Sequence, residues 1–154
     1  NAASFGGDPS RVFLAGHSSG AHLAAVLLTT DWHARGLSAT PVRGALLMSG
    51  TYDLYPVMLS SRRSYLRATQ EEVAALSPLR HLDRLPCPVT VTWADQDSPE
   101  FKRQSDVFAT ALQGMGLLAG RHVLFNTSHF EEPEQLNRPD TLLGGVALTM
   151  MGLT

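Results

Sequence analysis

The sequence predicts an α/β fold: a parallel sheet with helices on both faces. Three observations predict it. Short, continuously apolar runs of strand length recur along the chain. Stretches with helical spacing separate them, and no hairpin turn joins one run to the next. The first run ends in a glycine-flanked serine turn that opens directly into a helical pattern. Strands that alternate with helices pair in parallel through right-handed crossovers.

The first strand is RVFLA, residues 11–15, bounded by Asp8-Pro9 before it and Gly16 after it. From Ser19 to Thr30 small residues and leucines take over, and Gly20, Ala21, Ala24 and Ala25 let a helix lie close against the sheet. A loop containing Gly36 and Pro41 leads to the second strand, GALLMS at 44–49. Residues 51–85 break the alternation. They are long, arginine-rich around Arg62 and Arg63, and helical in pieces, which reads as a cap-like excursion over the strand ends within a single domain spanning 1–154. The third strand is PVTVTW at 88–93. A helix follows over 100–118, with Phe101, Val107, Phe108, Ala111 and Leu112 on one stripe, Pro99 near its start and Gly114, Gly116 and Gly120 breaking it. HVLF at 122–125 is the fourth strand, and Thr141 to Met150 form a last helix weakened by Gly144-Gly145. There is no internal repeat.

Composition excludes several classes of function. A 44% hydrophobic share over 154 residues is enough for one domain with a real core. Twelve Lys plus Arg against fourteen Asp plus Glu leave a net charge of −2, scattered rather than blocked, which argues against nucleic acid or an anionic membrane as partner. The single cysteine, Cys87, permits no intrachain disulfide, and no Cys/His spacing suits zinc, so neither metal nor cofactor is expected. Cys87 sits between Pro86 and Pro88 and reads as a small buried hydrophobe. No apolar run reaches the roughly 18 residues of a membrane span. The opening NAASFGGDPS lacks the order of a signal peptide, so a cytoplasmic address is expected, although Asn1 is not a natural start.

Gly16-His17-Ser18-Ser19-Gly20 matches G-x-S-x-G. A nucleophile elbow needs a serine on a strained strand-to-helix turn, with glycines two residues away on either side where strand and helix pass closely. The helix N-terminus then adds positive potential beneath an oxyanion, and the Ser19 backbone N–H is the expected donor to it. The alternative is a plain βα turn whose serine only caps the helix. A serine hydroxyl also needs a base and an acid to orient it, in the chain order Ser, acid, His. VTWADQDSPEF follows the third strand and offers Asp95 and Asp97; VLFNTSHFEE follows the fourth and offers His129. Both fall just past strand ends, where open α/β sheets gather ligands. Asp97 is preferred because Asp95 would still be finishing its strand. Among the six histidines, only His129 has this context. His17 lies within the elbow and is a candidate for lining the site, while His22 reads as packed or hydrogen-bonded. Tyr52, Leu54, Tyr55 and Met58 either line an acyl pocket or fill the cap. Asp53 reads as a loop hydrogen-bonding residue, and Arg62 and Arg63 as solvated surface.

These residues resemble the α/β-hydrolase superfamily, and within it the esterases related to hormone-sensitive lipase and the arylformamidases, or kynurenine formamidases. The resemblance covers nearly the whole chain. FGGDPSRVFLAGHSSGAHLAA resembles the family's elbow region, LLMSGTYDL the segment after the next strand, LSPLRHL the return from the cap, DSPEF the acid loop and SHF the histidine loop. It implies Ser18 as nucleophile, Asp97 as acid and His129 as base. It also implies a His-Gly-Gly oxyanion loop and several strands upstream of the elbow, none of which occurs here. The chain is therefore expected to be the C-terminal part of a longer hydrolase, paired through an apolar strand edge with an N-terminal segment of the same protein. The function expected is a serine hydrolase that cleaves a small carboxylic ester or an N-formyl or aryl amide through an acyl-enzyme, with a small-molecule acyl substrate as its partner. The alternative is a non-catalytic hydrolase-fold module for binding or assembly, which would have no reason to keep three triad residues at three strand ends.

Overall fold

The apolar runs pair in parallel, and their register carries the ends of all the strands to one edge of the molecule. A computed structural model describes residues 1–37 and 40–154. Its sheet consists of β1 (Val12–His17), β2 (Val42–Met48), β3 (Val89–Ala94) and β4 (Leu118–Leu124) in the order β1-β2-β3-β4. All three pairings are parallel, as the βα alternation requires. A sheet that grows in one direction through crossovers of one hand puts the crossover helices on one face. α1 (Ser19–Leu28) and α4 (Pro99–Gly114) share that face, and α5 (Leu142–Met150) covers the other.

The alternation of side chains along β2 divides the core between the two faces. Ala45 and Leu47 point to the cluster formed with Ala21, Leu28, Val91, Phe108 and Leu112. Leu46 and Met48 point to a smaller one with Leu124 and Leu143. Leu46, Leu47, Leu112 and Leu143 are fully buried, and each contributes about 1.5–3 kcal/mol by leaving water. Cys87 is buried among them, as its place between prolines suggested.

The boundary that differs most from the sequence expectation lies between α4 and β4. The helix expected over 100–118 stops at Gly114, and the strand expected over 122–125 begins at Leu118. Gly116 takes φ 70°, a left-handed conformation that a glycine reaches without strain. Two bonds then close the helix end, Gly116 N–H to Gln113 and Leu117 N–H to Leu112. Leu118 is already opposite Val89, and Gly120, expected to break a helix, lies within the strand opposite Thr90.

Residues 51–85 contain two short helices, α2 (Tyr55–Met58) and α3 (Gln70–Ala75), and three single turns of 3-10 helix. α3 begins with a complete capping box between Thr69 and Glu72. At the other side of the sheet, β1 is an edge strand. Its sequence is as apolar as that of a strand buried on both faces, yet its residues are only half-buried and Ala15 is exposed.

Candidate active site

The turn between β1 and α1 is as tight as the glycine spacing implies. Ser18 sits at φ 56°, ψ −119°, a region that costs a residue with a side chain about 1–3 kcal/mol. Its N–H donates to the Met48 carbonyl at 2.8 Å, which anchors the turn to the end of β2. A Cβ on Gly16 would lie 2.3 Å from the Gly20 carbonyl oxygen, so glycine is obligatory there. The second glycine departs from expectation. A Cβ on Gly20 would meet nothing within 4 Å among the described residues, because the strand passes the helix at Gly16 alone. Ser18 occupies the N-cap position of α1, yet its hydroxyl makes no capping bond. That hydroxyl lies instead 2.9 Å from His129 Nε2. Ser19 is the first residue of α1, where helix geometry leaves the N–H without an intrahelical acceptor.

The loops after β3 and β4 bring the other two residues to Ser18. His129 Nδ1 is 2.6 Å from Asp97 Oδ1. A carboxylate there can only accept, so the proton of that contact belongs to Nδ1 and Nε2 is free to accept from the Ser18 hydroxyl. Asp97 is buried, and its second oxygen accepts the Ala94 N–H at 3.1 Å. Asp95 has a different task. Its carboxylate accepts the Thr127 N–H at 3.1 Å, and hydrogen bonds from the Thr127 and Asn126 backbone hold it below the usual aspartate range. Asp95 thus ties the acid loop to the histidine loop. The N-cap position of α4 belongs to Ser98.

Beneath the three lies a polar cluster that the sequence did not reveal. Ser49, at the end of β2 with φ 47°, directs its hydroxyl to Asp97 Oδ2 at 2.5 Å and also contacts Glu132 Oε2. Glu132 has no solvent exposure, and its other oxygen accepts from the Thr92 hydroxyl at 2.7 Å. A tight turn makes this possible: the Glu132 N–H donates to the Ser128 carbonyl and folds the chain back under His129. Burial, reinforced by the nearby Asp97 charge, pushes the Glu132 carboxyl above the usual glutamate range, against the hydrogen bonds from Ser49 and Thr92. In the sequence Glu132 is one member of an acidic run, which ordinarily reads as solvated. The turn that buries it has no strong local signature.

His17 fulfils its expected proximity. Its ring lies 4.5 Å from that of His129, and its Nε2 is buried without a partner, 4.0 Å from Glu132 Oε2. Burial lowers its pKa, and the neighbouring His129 lowers it further. Phe101, which helical spacing placed on the buried stripe of α4, stands with its ring 4.7 Å from His129, and the Arg62 guanidinium lies over its outer face at 5.8 Å. Beside them is a cavity of about 150 Å³ lined by Thr51, Val57, Ser60, Arg62 and Phe101.

Tyr52 does not line the site. It is fully buried and stacked on Phe108 at 4.1 Å, because it follows β2 into the core beneath α4. Leu54 is the N-cap of α2, its N–H held by Ser77 Oγ at 2.9 Å, and it is not part of that cavity. Tyr55 and Met58 face a separate hollow with Arg63 and Arg80. His22 donates or accepts at Nδ1 to the Thr51 carbonyl at 2.8 Å, and Asp53 accepts the Tyr55 N–H at 3.0 Å, both in the bonding roles expected. Among the described residues no group of three or more His, Cys, Asp or Glu side chains is disposed to hold a metal ion.

Comparison with known proteins places this geometry among relatives. Kynurenine formamidase of Danio rerio is 40% identical over 148 residues, which cover 93% of this chain and 50% of that protein. Kynurenine formamidase of Salmo salar is 40% identical over 150 residues, with the same coverage. The chain thus spans about half the length of the curated relatives it matches. Among solved structures, a candidate thioesterase from Silicibacter sp. superposes with a TM-score of 0.78 at 28% identity, covering 94% of this chain and 53% of that one. An esterase from Pyrobaculum calidifontis shares the fold with a TM-score of 0.69 at 20% identity, over 97% of this chain and 55% of that one. The model of the carboxylesterase family matches residues 1–83, the half that contains the serine elbow. The chain belongs to the carboxylesterase family, on the α/β-hydrolase fold.

Proposed function

We propose that the protein is a serine hydrolase of small carboxylic esters or N-formyl and aryl amides, with Ser18 as nucleophile, His129 as base and Asp97 as the acid that orients it. The observation that carries this reading is the unbroken contact chain from Ser18 Oγ through His129 to Asp97, starting from a serine held in a strained elbow. In the reaction, Ser18 Oγ attacks the carbonyl carbon while His129 Nε2 takes its proton. Asp97 keeps the other ring proton on Nδ1 and stabilises the imidazolium. His129 then gives its proton to the leaving group, and a water activated by the same nitrogen cleaves the acyl-enzyme. The Ser19 N–H and the N-terminus of α1 stabilise the oxyanion. The cavity beside Phe101 is small by the standards of ligand sites, which suits a short acyl group or a single ring.

The relatives' names support the amide side of this reading, and the family supports the ester side. A second donor to the oxyanion, and strands beside β1, are assigned to an N-terminal segment of the same protein. The free apolar edge of β1 supports that assignment.

The test is turnover of p-nitrophenyl acetate and of N-formylkynurenine by the complete protein. Ser18→Ala is expected to lower kcat by about 10⁴-fold or more on whichever substrate is hydrolysed. Unchanged turnover would remove Ser18 from the chemistry. The ratio of the two rates decides between formamidase and esterase.

A further inference from the structure

We propose that Glu132 is a positioning residue that carries a proton: it donates to Ser49, Ser49 donates to Asp97, and Asp97 is thereby held as the sole anion facing His129. The Ser49 hydroxyl has one hydrogen, yet its oxygen contacts two carboxyl oxygens, Asp97 Oδ2 at 2.5 Å and Glu132 Oε2. An ionised carboxylate only accepts. With both acids ionised, one of these contacts would press two oxygens together with no hydrogen between them, so the cluster holds one further proton.

The surroundings decide where that proton resides. Both oxygens of Asp97 already face donors, Nδ1 of His129 at 2.6 Å and the Ala94 N–H at 3.1 Å. On Glu132, Oε1 is served by the Thr92 hydroxyl, whereas among the described residues Oε2 meets only the Ser49 oxygen within hydrogen-bonding distance. His17 Nε2 stands 4.0 Å off, too far to donate. The proton therefore belongs on Glu132 Oε2, and a single directed chain satisfies every member. Burial of Glu132 acts in the same direction. Among the described residues the titratable groups facing it are Asp97 and His129 from the two loops, His17 from β1, and Tyr52 from the core, with no Lys or Arg.

The device has a purpose in the proposed reaction. An ionised Glu132 would draw the Ser49 hydroxyl away from Asp97. A protonated Glu132 locks Ser49 in the orientation that pins Asp97. Its kinetic consequences rest on the serine-hydrolase reading; the location of the proton does not.

Infrared spectroscopy of the complete protein with ¹³C-labelled glutamate carboxyls reads the proton directly. At neutral pH the wild type is expected to show a protonated-acid carbonyl band that moves on labelling and is missing from Glu132→Gln. Glutamine can donate to Ser49 and accept from Thr92, so this variant is expected to keep kcat within about three-fold, whereas Glu132→Met, which cannot donate, loses about ten-fold or more in kcat with little change in KM. Kinetically, the wild type loses kcat on the alkaline side as Glu132 gives up its proton, and Glu132→Gln lacks that limb. Absence of a glutamic-acid band at neutral pH, or a glutamine variant as impaired as the methionine one, would overturn the proposal. If Ser18→Ala left hydrolysis intact, the functional reading would fail while the labelled band still judged the proton on Glu132.

Discussion

Asp97 and Asp95 lie two residues apart in one loop, and the structure gives them different work. Asp97 faces His129 Nδ1 from within the protein, while Asp95 bonds the backbone of the neighbouring loop. Asp97→Asn is therefore expected to lower kcat by about 10³–10⁴-fold, because an amide can donate to Nδ1 and favour the wrong tautomer. Asp95→Asn keeps an acceptor for Thr127 and is expected to cost less than about ten-fold. Steady-state kinetics of the two variants on the complete protein checks both, and equal losses would contradict the division of labour. Two of the half-buried histidines bear on stability. Burial lowers the pKa of His17 and of His22 below the ordinary value of 6.5. The folded state thus resists protonation that the unfolded state accepts. Stability is at its full value above about pH 6.5 and falls as pH drops toward the folded-state pKa values. His22→Gln, which keeps a bond to Thr51 without titrating, is expected to flatten that acid slope in urea denaturation followed against pH.

The meeting of Ser18, Asp97 and His129 was legible in the sequence because each follows a strand. A strand end fixes a position in space, so order along the chain translated into geometry. Glu132 and Ser49 were not legible for the converse reason: a turn at 128–132 and a positive φ at Ser49 bring them together, and neither leaves a periodic trace. Of the two roles open to Tyr52, pocket or packing, the structure shows packing, because an aromatic residue after a strand serves a core as readily as a pocket.

The elements show the same division. The strands declare themselves by apolar runs, but the junction of α4 and β4 is obscured because Gly114, Gly116 and Gly120 carry equal weight in the sequence. Only Gly116 has the left-handed conformation that ends the helix; Gly120 lies in a paired strand. At the elbow, a similar symmetry in the motif hides a difference. Gly16→Ala drives a methyl into the Gly20 carbonyl and is expected to cost about 3 kcal/mol or to prevent folding. Gly20→Ala enters open space in a helix and is expected to be neutral or stabilising by up to about 1 kcal/mol. Thermal denaturation of the two variants distinguishes them. A costly Gly20→Ala in the complete protein would mean that another segment packs there.

At the scale of the whole molecule, β1 is the element least satisfied by its surroundings. Its sequence suits the centre of a sheet and its position is the edge, with Phe5 and Leu23 also exposed. If an upstream segment pairs with it, as we propose, the outward amides of β1 in the complete protein exchange slowly with solvent. In residues 1–154 alone they exchange rapidly, and that chain associates with itself or aggregates. Rapid exchange in the complete protein would rule out such pairing. The site depends on the same edge, because Ser18 is carried on it.

Ser18, as we propose, is a nucleophile activated by His129. The most direct measurement is covalent: treat the complete protein with a fluorophosphonate, digest it and locate the added mass. Stoichiometric labelling of Ser18 is expected, lost in His129→Ala, with loss of hydrolysis in step with the label. Labelling at another residue, or full hydrolysis by protein already labelled at Ser18, would contradict it.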